Sequence, residues 1–235
     1  MIGRVATLVA RTQLTRGRLI ALIAIGAFAV FLGLAIGKGT GTRQISDTLD
    51  MTQGYGLQLL APVVSLVLAS AALGDFVDDR TLVYLWLRPV PRWQISLGAA
   101  LASIGTALPL VVIPVTLSAY LGSGDPTVAA GAAAASVVAT LGYAGLFLAL
   151  GFKVRRALVW GLAYILIWEG FLARSVSFCA RLSISVYARS LLAHIADGEL
   201  PKHSSTATAA VLWPPIVAVI AIVVTARWLQ TTEVA

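Results

Sequence analysis

Apolar stretches long enough to cross a lipid bilayer recur along the whole of this 235-residue chain, and charged residues fall mostly between them. About 20 apolar residues in a helix span roughly 30 Å of hydrocarbon. Backbone polar groups in lipid must be satisfied within the chain, which favours helices for such stretches. The sequence therefore predicts an all-α polytopic membrane protein with a single transmembrane domain over residues 1–235. Six spans are expected, at about 19–37, 56–74, 94–121, 127–152, 157–173 and 209–226.

Composition excludes an ordinary soluble domain, because 59% of the residues are hydrophobic and only 11% are charged. The net charge of +7 does not indicate a nucleic-acid partner, since the basic residues flank the spans and form no patch with base-stacking aromatics. Cys179 is the one cysteine, which excludes an intramolecular disulfide and a cysteine-based metal site. His194 and His203 lack a metal-binding context, so no metal site is expected.

The first 18 residues are patterned as an amphipathic helix. Arg4, Arg11 and Arg18 recur every seven residues and share one face, while aliphatic side chains such as Val9 take another. This pattern predicts an interfacial helix over residues 1–18 that lies in the headgroup layer. The alternative is a solvated basic tail. The stretch is too long and too regular for a cleaved signal peptide.

Orientation follows from the distribution of lysine and arginine. With the N-terminus inside and six spans, eleven of the 17 basic residues fall on the inner side and six on the outer side. Most of the outer ones belong to a single long segment after the fifth span. Both termini are therefore expected to be cytoplasmic.

Small residues mark two places where helices are expected to pack closely. Ala29, Gly33 and Gly37 fall four apart near the end of the first span and would let another helix approach. Residues 129–135 consist only of alanine and glycine, which predicts that the fourth span is buried among other helices. Residues 38–55, by contrast, are polar and indicate a loop.

The densest charge cluster of the chain lies at residues 75–92, between two long apolar runs. Asp78 and Asp79 are suited to cap the N-terminus of a helix, whose first N–H groups lack partners. Thr81 to Leu87 supplies about two turns, and Pro89 with Pro91 ends them. Residues 78–92 are predicted to form a short helix on the cytoplasmic face of the membrane, and another protein would bind this helix. The alternative is an ordinary interfacial loop.

Residues 174–195 are too polar for a span. Arg174, Arg181 and Arg189 sit seven and eight apart, close to one face of a helix, and five serines dilute the hydrophobicity. The segment is predicted to be an amphipathic or re-entrant element on the outer side.

Residues with evident chemistry are few. The sequence contains no P-loop and no seryl nucleophile motif. Glu169 is the one carboxylate inside an apolar segment, where it must face a partner or a watery cavity, and Arg174 is a candidate partner. Two interpretations stay open. Glu169 is either a structural group near the headgroups that locks the turn into the following element, or part of a substrate or proton path.

This layout resembles the membrane subunit of a bacterial type-2 ATP-binding-cassette (ABC) exporter. The interfacial helix, the six spans, the charged loop after the second span and the broken element after the fifth agree with that family. The charged loop is similar to the family's pattern of an acid, Gly-Thr-Leu, Leu and Pro-Val-Ser-Arg. The matching residues are Asp79, Thr81, Leu82, Leu85, Pro89, Val90 and Arg92. The loop departs from the pattern at Arg80, where Gly is usual, and at Pro91, which replaces a small hydroxyl residue. Downstream, Gly98 fits and Ala99 replaces a frequent Lys; Trp168-Glu169 also resembles span-five patterns of some members.

The resemblance implies a permease that moves a substrate across the plasma membrane by alternating access. The charged loop would be the coupling helix that docks on a separate ABC ATPase, expected in two copies, which would bind the ATP and Mg; this chain would need no cofactor and would not be an enzyme. A second permease copy or a related permease would complete the membrane core, with membrane lipids around it. Coupling would use Asp78, Asp79, Arg80, Leu82, Tyr84, Leu85, Trp86, Arg88 and Arg92. The translocation path or outer gate would use Glu169, Arg174 and Arg181. The alternatives are a proton-coupled secondary transporter and a non-transporting membrane scaffold or assembly factor.

Overall fold

The computed structural model describes residues 2–39, 42–78, 91–200 and 203–231, and these residues are mostly helical. The α-helices are α1 Ile2–Gln13, α2 Arg16–Ile36, α3 Thr42–Met51, α4 Ala61–Asp78, α5 Arg92–Ser123, α6 Pro126–Lys153, α7 Ala157–Ala163, α8 Ala173–Ser175, α9 Ser177–Ala180, α10 Ile184–Ile195 and α11 Ala207–Thr231. Two π-helical stretches, π1 Thr52–Leu60 and π2 Tyr164–Leu172, join α3 to α4 and α7 to α8. No strand occurs within the described ranges.

Five helices are long and apolar enough to cross a membrane: Arg16–Ile36, Arg43–Gly74, Arg92–Ser123, Pro126–Lys153 and Ala207–Thr231. The prediction of a membrane-embedded helical protein is confirmed at this level. The fifth predicted span forms a shorter apolar helix, Ala157–Leu172. At about 1.5 Å per residue its length is roughly 24 Å, which is less than the hydrocarbon thickness.

The N-terminal helix is shorter than predicted, because the chain leaves the helix at Leu14 and Thr15 before α2 begins. Its two faces agree with the pattern, since Val9 is buried and Arg11 is exposed. Gln13 is also buried, and its side-chain amide donates to the Ser103 hydroxyl of α5 at 2.9 Å. The helix therefore packs against the first half of α5.

The prediction of a loop over residues 38–55 is wrong, because helix α3 begins at Thr42 and runs through π1 into α4. Helix α3 is amphipathic: Thr48 and Leu49 are buried, whereas Asp47 and Asp50 are exposed. The π-helical stretch ends just before Pro62. Proline lacks the N–H that an α-helix would direct at the carbonyl of Gln58 and its ring clashes there, so a wider turn relieves the conflict.

Contacts between the helices give their directions. Arg92 and Ser96, at the start of α5, donate to the carbonyls of Leu229 and Ile222 near the end of α11. Helices α5 and α11 are therefore antiparallel, and α1 lies at the same end of the bundle as the end of α11. We call this end, with Gln13 and Arg92, the basal end, and the opposite end the distal end.

Helix α6 is the centre of the bundle and contacts α4, α5, α10 and α11. Gly131, Ala132 and Ala135, from its alanine-glycine run, are buried. Tyr143 and Phe147, further along the helix, are among the largest fully buried side chains. The predicted burial of this helix is confirmed. Small side chains in its first half let α10 approach, since a Cβ on Gly131 would lie 3.2 Å from a Leu192 methyl carbon.

The glycine seam, which we define as Gly26, Ala29 and Gly33 of α2 with the C-cap Gly37, packs against α5, and at Gly33 and Gly37 the contact is backbone to backbone. A Cβ on Gly33 would lie 2.3 Å from the Ser118 carbonyl oxygen, and one on Gly37 would lie 2.1 Å from that of Leu121. Ala29 is fully buried. The close helix approach predicted from the spacing is therefore confirmed.

Residues 174–195 do not form one helix, so the predicted common face of three arginines is wrong. Val176 and Ser183 have extended backbones, which divide the segment into α8, α9 and α10. The longest of these, α10, has 12 residues and is too short to cross a bilayer. Arg181 is exposed in the break before α10, and Arg189 is half-buried on α10.

Candidate functional site

The predicted coupling segment lies largely outside the described residues. This applies to Asp79, Arg80, Leu82, Tyr84, Leu85, Trp86 and Arg88. Its two flanks are described: α4 ends at Asp78 and α5 begins at Arg92. The Arg92 guanidinium donates from Nη1 to the carbonyls of Leu229 and Gln230, at 2.7 and 2.8 Å. A cation on the last carbonyls of a helix satisfies acceptors that lack intrahelical donors and complements the helix dipole.

Glu169 occupies the most highly coordinated polar site of the distal half. It lies in π2, about 18 Å along the helix that begins at Ala157, and its side chain is fully buried. An uncompensated carboxylate at such a position would be costly, so its partners decide what it does.

Four donors converge on the Glu169 carboxylate. Oε1 accepts from the Tyr164 hydroxyl and from the Ile184 backbone N–H, each at 3.1 Å. Oε2 accepts from the Ser185 hydroxyl at 2.6 Å and from the Ser183 hydroxyl. An ionised carboxylate has about four acceptor positions, so this set of donors fills them. We call Glu169, Tyr164, Ser183, Ile184 and Ser185 the carboxylate clasp.

Three donors of the clasp come from the first turn of α10. Ser183 is the N-cap residue, and its hydroxyl oxygen also accepts from the Val186 N–H at 3.3 Å. Ile184 is the first helical residue, so its N–H has no intrahelical acceptor. The positive end of the helix dipole faces the carboxylate, which adds to the hydrogen bonds. The clasp therefore attaches the N-terminus of α10 to π2.

A second layer of polar and aromatic groups surrounds the clasp. The Gln58 side chain of π1 donates to the Glu169 backbone carbonyl at 3.1 Å, which brings the two π-helical stretches together. Tyr143 of α6 is fully buried near the carboxylate and near Arg189, but its hydroxyl has no hydrogen-bond partner within the described chain. Its ring stacks on Phe147 at 5.8 Å between centroids, and Phe147 meets Tyr164 at 6.0 Å.

Of the other two residues predicted for an outer gate, the structure describes the side chain of Arg181 only, and this side chain does not join the cluster. Arg181 is exposed, and its backbone carbonyl accepts from the Tyr187 hydroxyl at 2.8 Å. Partial burial raises the pKa of Tyr187, and the nearby Arg181 charge opposes that shift. Arg174 belongs to α8, but its side chain lies outside the described part, so its predicted pairing with Glu169 stays a prediction.

Sequence reasoning missed the partners of Glu169. In the sequence Ser183 and Ser185 only dilute the hydrophobicity of their segment, and no pattern marks Tyr164 or Gln58. One local signal was present, since a serine directly before an apolar helical run is a typical N-cap. That the carboxylate would face this cap follows only from the chain fold.

Chemically, the clasp is an arrangement that holds rather than reacts. Its three hydroxyls and the Ile184 N–H all donate to the one carboxylate, so groups of the chain itself fill the acceptor positions of Glu169. Within the described ranges, no three metal-ligating side chains lie close enough together to hold an ion. No protein-family model matches the chain, and no curated protein is significantly similar to it.

Proposed function

We propose that this chain is the permease subunit of a bacterial type-2 ABC exporter. The observation that supports this most directly is the position of the two described residues that flank the charged segment 79–90. Its flanks, Asp78 and Pro91, belong to the basal end of the bundle, as do α1 and the end of α11. A partner at the basal end would therefore meet the charge cluster together with both ends of the described chain.

The proposed topology has six crossings in alternating directions, of which five correspond to the helices long enough to span a membrane. The chain would cross in α2, in α3–α4, in α5, in α6, in the shorter α7–π2 and in α11. Arg16, Arg18, Lys153, Arg155, Arg156 and Arg227 all lie near the basal end of their helices. By the positive-inside rule we assign the basal end and both termini to the cytoplasm, in the plasma membrane.

The proposed mechanism is alternating access driven by an ATPase on another chain. ATP and Mg would bind that ATPase, and two ATPase copies would act on two permease copies, or on this permease and a relative. Force on residues 79–90 would reach α4 and α5 directly. It would reach α11 through the two hydrogen bonds of Arg92. On the distal side, the carboxylate clasp would make α10 move together with the fifth crossing.

Co-purification with the ATPase tests the proposal. Tyr84, Leu85 and Trp86 are replaced together by alanine, and complex formation and substrate-stimulated ATP hydrolysis are measured in reconstituted membranes. Loss of one true apolar anchor costs about 2 kcal/mol or more, so docking should weaken at least about tenfold. Trp93→Ala is the matched control, because Trp93 is an exposed basal aromatic outside the segment. Undiminished docking and hydrolysis in the triple variant would refute the coupling assignment.

Topology is tested separately by cysteine labelling in intact cells. Single cysteines at Thr12 and Thr232 should resist an impermeant reagent in a Cys179→Ser background. The native Cys179, half-buried between the distal helices, serves as the outward reference. Labelling at either end of the chain would refute the cytoplasmic assignment.

A further inference from the structure

A small cavity of about 100 Å³ opens at the basal end between the start of α2, the end of α4 and the turn from α6 to α7. Its lining includes Arg18, Ser70, Gly74, Gly151, Arg156 and Leu158. The two arginines are separated by more than a hundred residues in the sequence. The fold therefore brings two arginines, one from α2 and one from the α6–α7 turn, to one opening.

Close backbone packing forms the floor of this cavity. A Cβ on Gly151 would lie 2.5 Å from the Ser70 carbonyl oxygen, and one on Gly74 would lie 3.2 Å from that of Gly151. Helices α4 and α6 thus touch without side chains between them. The floor is a backbone surface with small side chains, and the charged groups stand at its rim.

Arg156 has an unusual backbone for a residue with a side chain, with φ of 60° and ψ of 43°. The left-handed conformation is unfavourable in a non-glycine residue, because the Cβ comes too close to the following carbonyl oxygen. Strain of this kind is a reason to look for function. Here it turns the chain sharply from α6 into α7 and places Arg156 on the cavity.

Two cations at one opening favour an anion between them. A guanidinium has five N–H donors in a planar fork that fits the oxygens of a phosphate, so Arg18 can bind a phosphate while it keeps its other contacts. Arg16 and Arg155, which flank the cavity residues in sequence, are exposed and add to the positive potential.

The surroundings of the cavity indicate a lipid as the source of that phosphate. Trp93 and Trp160 lie at the same end and are exposed by 48% and 62%, as is typical of side chains at headgroup depth. Leu158, on the cavity wall, and its neighbour Val159 are exposed apolar side chains against which an acyl chain can lie. Basic pockets between helices on the cytoplasmic side suit anionic headgroups.

We propose that the Arg18–Arg156 cavity binds the phosphodiester headgroup of an anionic phospholipid of the inner leaflet. The assignment to the inner leaflet depends on the proposed orientation, whereas binding itself does not depend on transport or on an ATPase. The bound lipid bridges α2, α4 and the α6–α7 turn.

Lipid titration of the purified protein in an uncharged detergent tests this. Phosphatidylglycerol is compared with phosphatidylcholine of the same acyl chains, with binding read by native mass spectrometry and by the thermal unfolding midpoint. We expect phosphatidylglycerol to bind and to raise the midpoint, and phosphatidylcholine to bind far less, because the arginines repel its choline cation. Arg18→Gln with Arg156→Gln should weaken phosphatidylglycerol binding at least tenfold.

The matched control is Arg16→Gln with Arg155→Gln, which removes the same charge outside the cavity and should keep the binding. Arg18→Lys with Arg156→Lys keeps the charge but removes the planar guanidinium donors, so this variant should bind phosphatidylglycerol at an intermediate level. Such an intermediate level would show that the loss in the glutamine variant is not due to a folding defect. Equal losses of phosphatidylglycerol binding in the two double-glutamine variants would overturn the proposed site, because binding would then depend on the general positive charge of the basal end. Binding of inorganic phosphate or glycerol 3-phosphate as tightly as the lipid would overturn the lipid as its ligand.

Discussion

The glycine seam and the carboxylate clasp hold helices together in opposite ways. In the seam, α2 meets α5 through backbone atoms, and no side chain larger than a methyl group intervenes at Ala29, Gly33 or Gly37. In the clasp, one charged side chain takes four hydrogen bonds from two segments. The seam depends on shape alone, and the clasp depends on the pairing of polar groups.

The difference follows from the solvent that surrounds each contact. Apolar side chains are as well solvated by lipid as by protein, so the hydrophobic effect does not drive helix association in a membrane. Helices there associate through close packing and through interhelical hydrogen bonds. The seam uses the first of these and tolerates no added volume. The clasp uses the second and tolerates no loss of a partner.

Removal of the carboxylate is expected to have the largest effect. Glu169→Ala leaves four donors, three of them buried and that of Tyr164 half-buried, without their acceptor and should lower the free energy of unfolding by about 3 kcal/mol or more. Glu169→Gln should cost less, because the amide keeps the size and one acceptor oxygen, and the two serine hydroxyls can turn to accept from its nitrogen. Denaturant titration in detergent, followed by tryptophan fluorescence, measures both. An alanine variant as stable as the native chain would show that the clasp holds nothing.

Addition of one methyl group to the glycine seam is expected to have the second-largest effect on the free energy of unfolding. Gly33→Ala forces a Cβ against the Ser118 backbone and should cost about 1–3 kcal/mol by the same titration. Gly105→Ala on α5 is the control, since no atom lies within 4 Å of its added Cβ. That change should be neutral or stabilising by up to about 1 kcal/mol, because alanine is the better helix former. Equal changes in the free energy of unfolding at Gly33 and Gly105 would mean that α2 and α5 are not in contact along the seam.

Two tyrosines near Glu169 test how much a single hydrogen bond contributes to the stability of the carboxylate clasp. Tyr164→Phe removes a hydroxyl that donates to Glu169 and should cost about 1 kcal/mol. Tyr143→Phe removes a buried hydroxyl that lies near the carboxylate but does not meet the geometry of a hydrogen bond, so it should cost less than Tyr164→Phe. Unfolding titrations of the two variants compare rings of the same size in the same aromatic stack. A larger loss at Tyr143 would assign the carboxylate a different donor.

Asp125 is a surface carboxylate that also accepts from groups at a helix N-terminus. Its replacement is expected to have the smallest effect on stability. Asp125 is the N-cap of α6 and accepts from the Thr127 N–H at 2.7 Å and its hydroxyl at 2.8 Å. These hydrogen bonds lower the pKa of Asp125 below its ordinary value of 3.8. The group therefore stabilises the fold above the unfolded pKa, and the contribution is lost as the pH falls through the lower folded pKa.

Asp125→Asn keeps an acceptor oxygen and removes the titration. The thermal midpoints of the two proteins should differ slightly at neutral pH and converge as the pH falls through the folded pKa of Asp125. A constant difference across that range would show that the charge of Asp125 is not what the cap uses.

Hydropathy and spacing in the sequence were sufficient for the helical membrane class, for the close approach of α2 and for the burial of α6. Each is a property of a single segment: the length of an apolar run, glycines four residues apart, or a run of alanine and glycine. The helix over Thr42–Met51 was missed because it is mostly polar and only Thr48 and Leu49 of its described side chains are buried, by tertiary contacts. The division of residues 174–195 depends on extended residues that no composition signal marked.

The clasp was decided by tertiary structure. Glu169 was visible as a carboxylate in an apolar segment, so the sequence determined that it needed partners. Those partners are a tyrosine five residues earlier and an N-cap 14–16 residues later, with Gln58 111 residues away on the backbone side. Hydrophobic periodicity records which residues avoid water or lipid, whereas a hydrogen bond depends on where two distant groups meet and how they are oriented. Only the packing of π2 against α10 and π1 supplies that geometry.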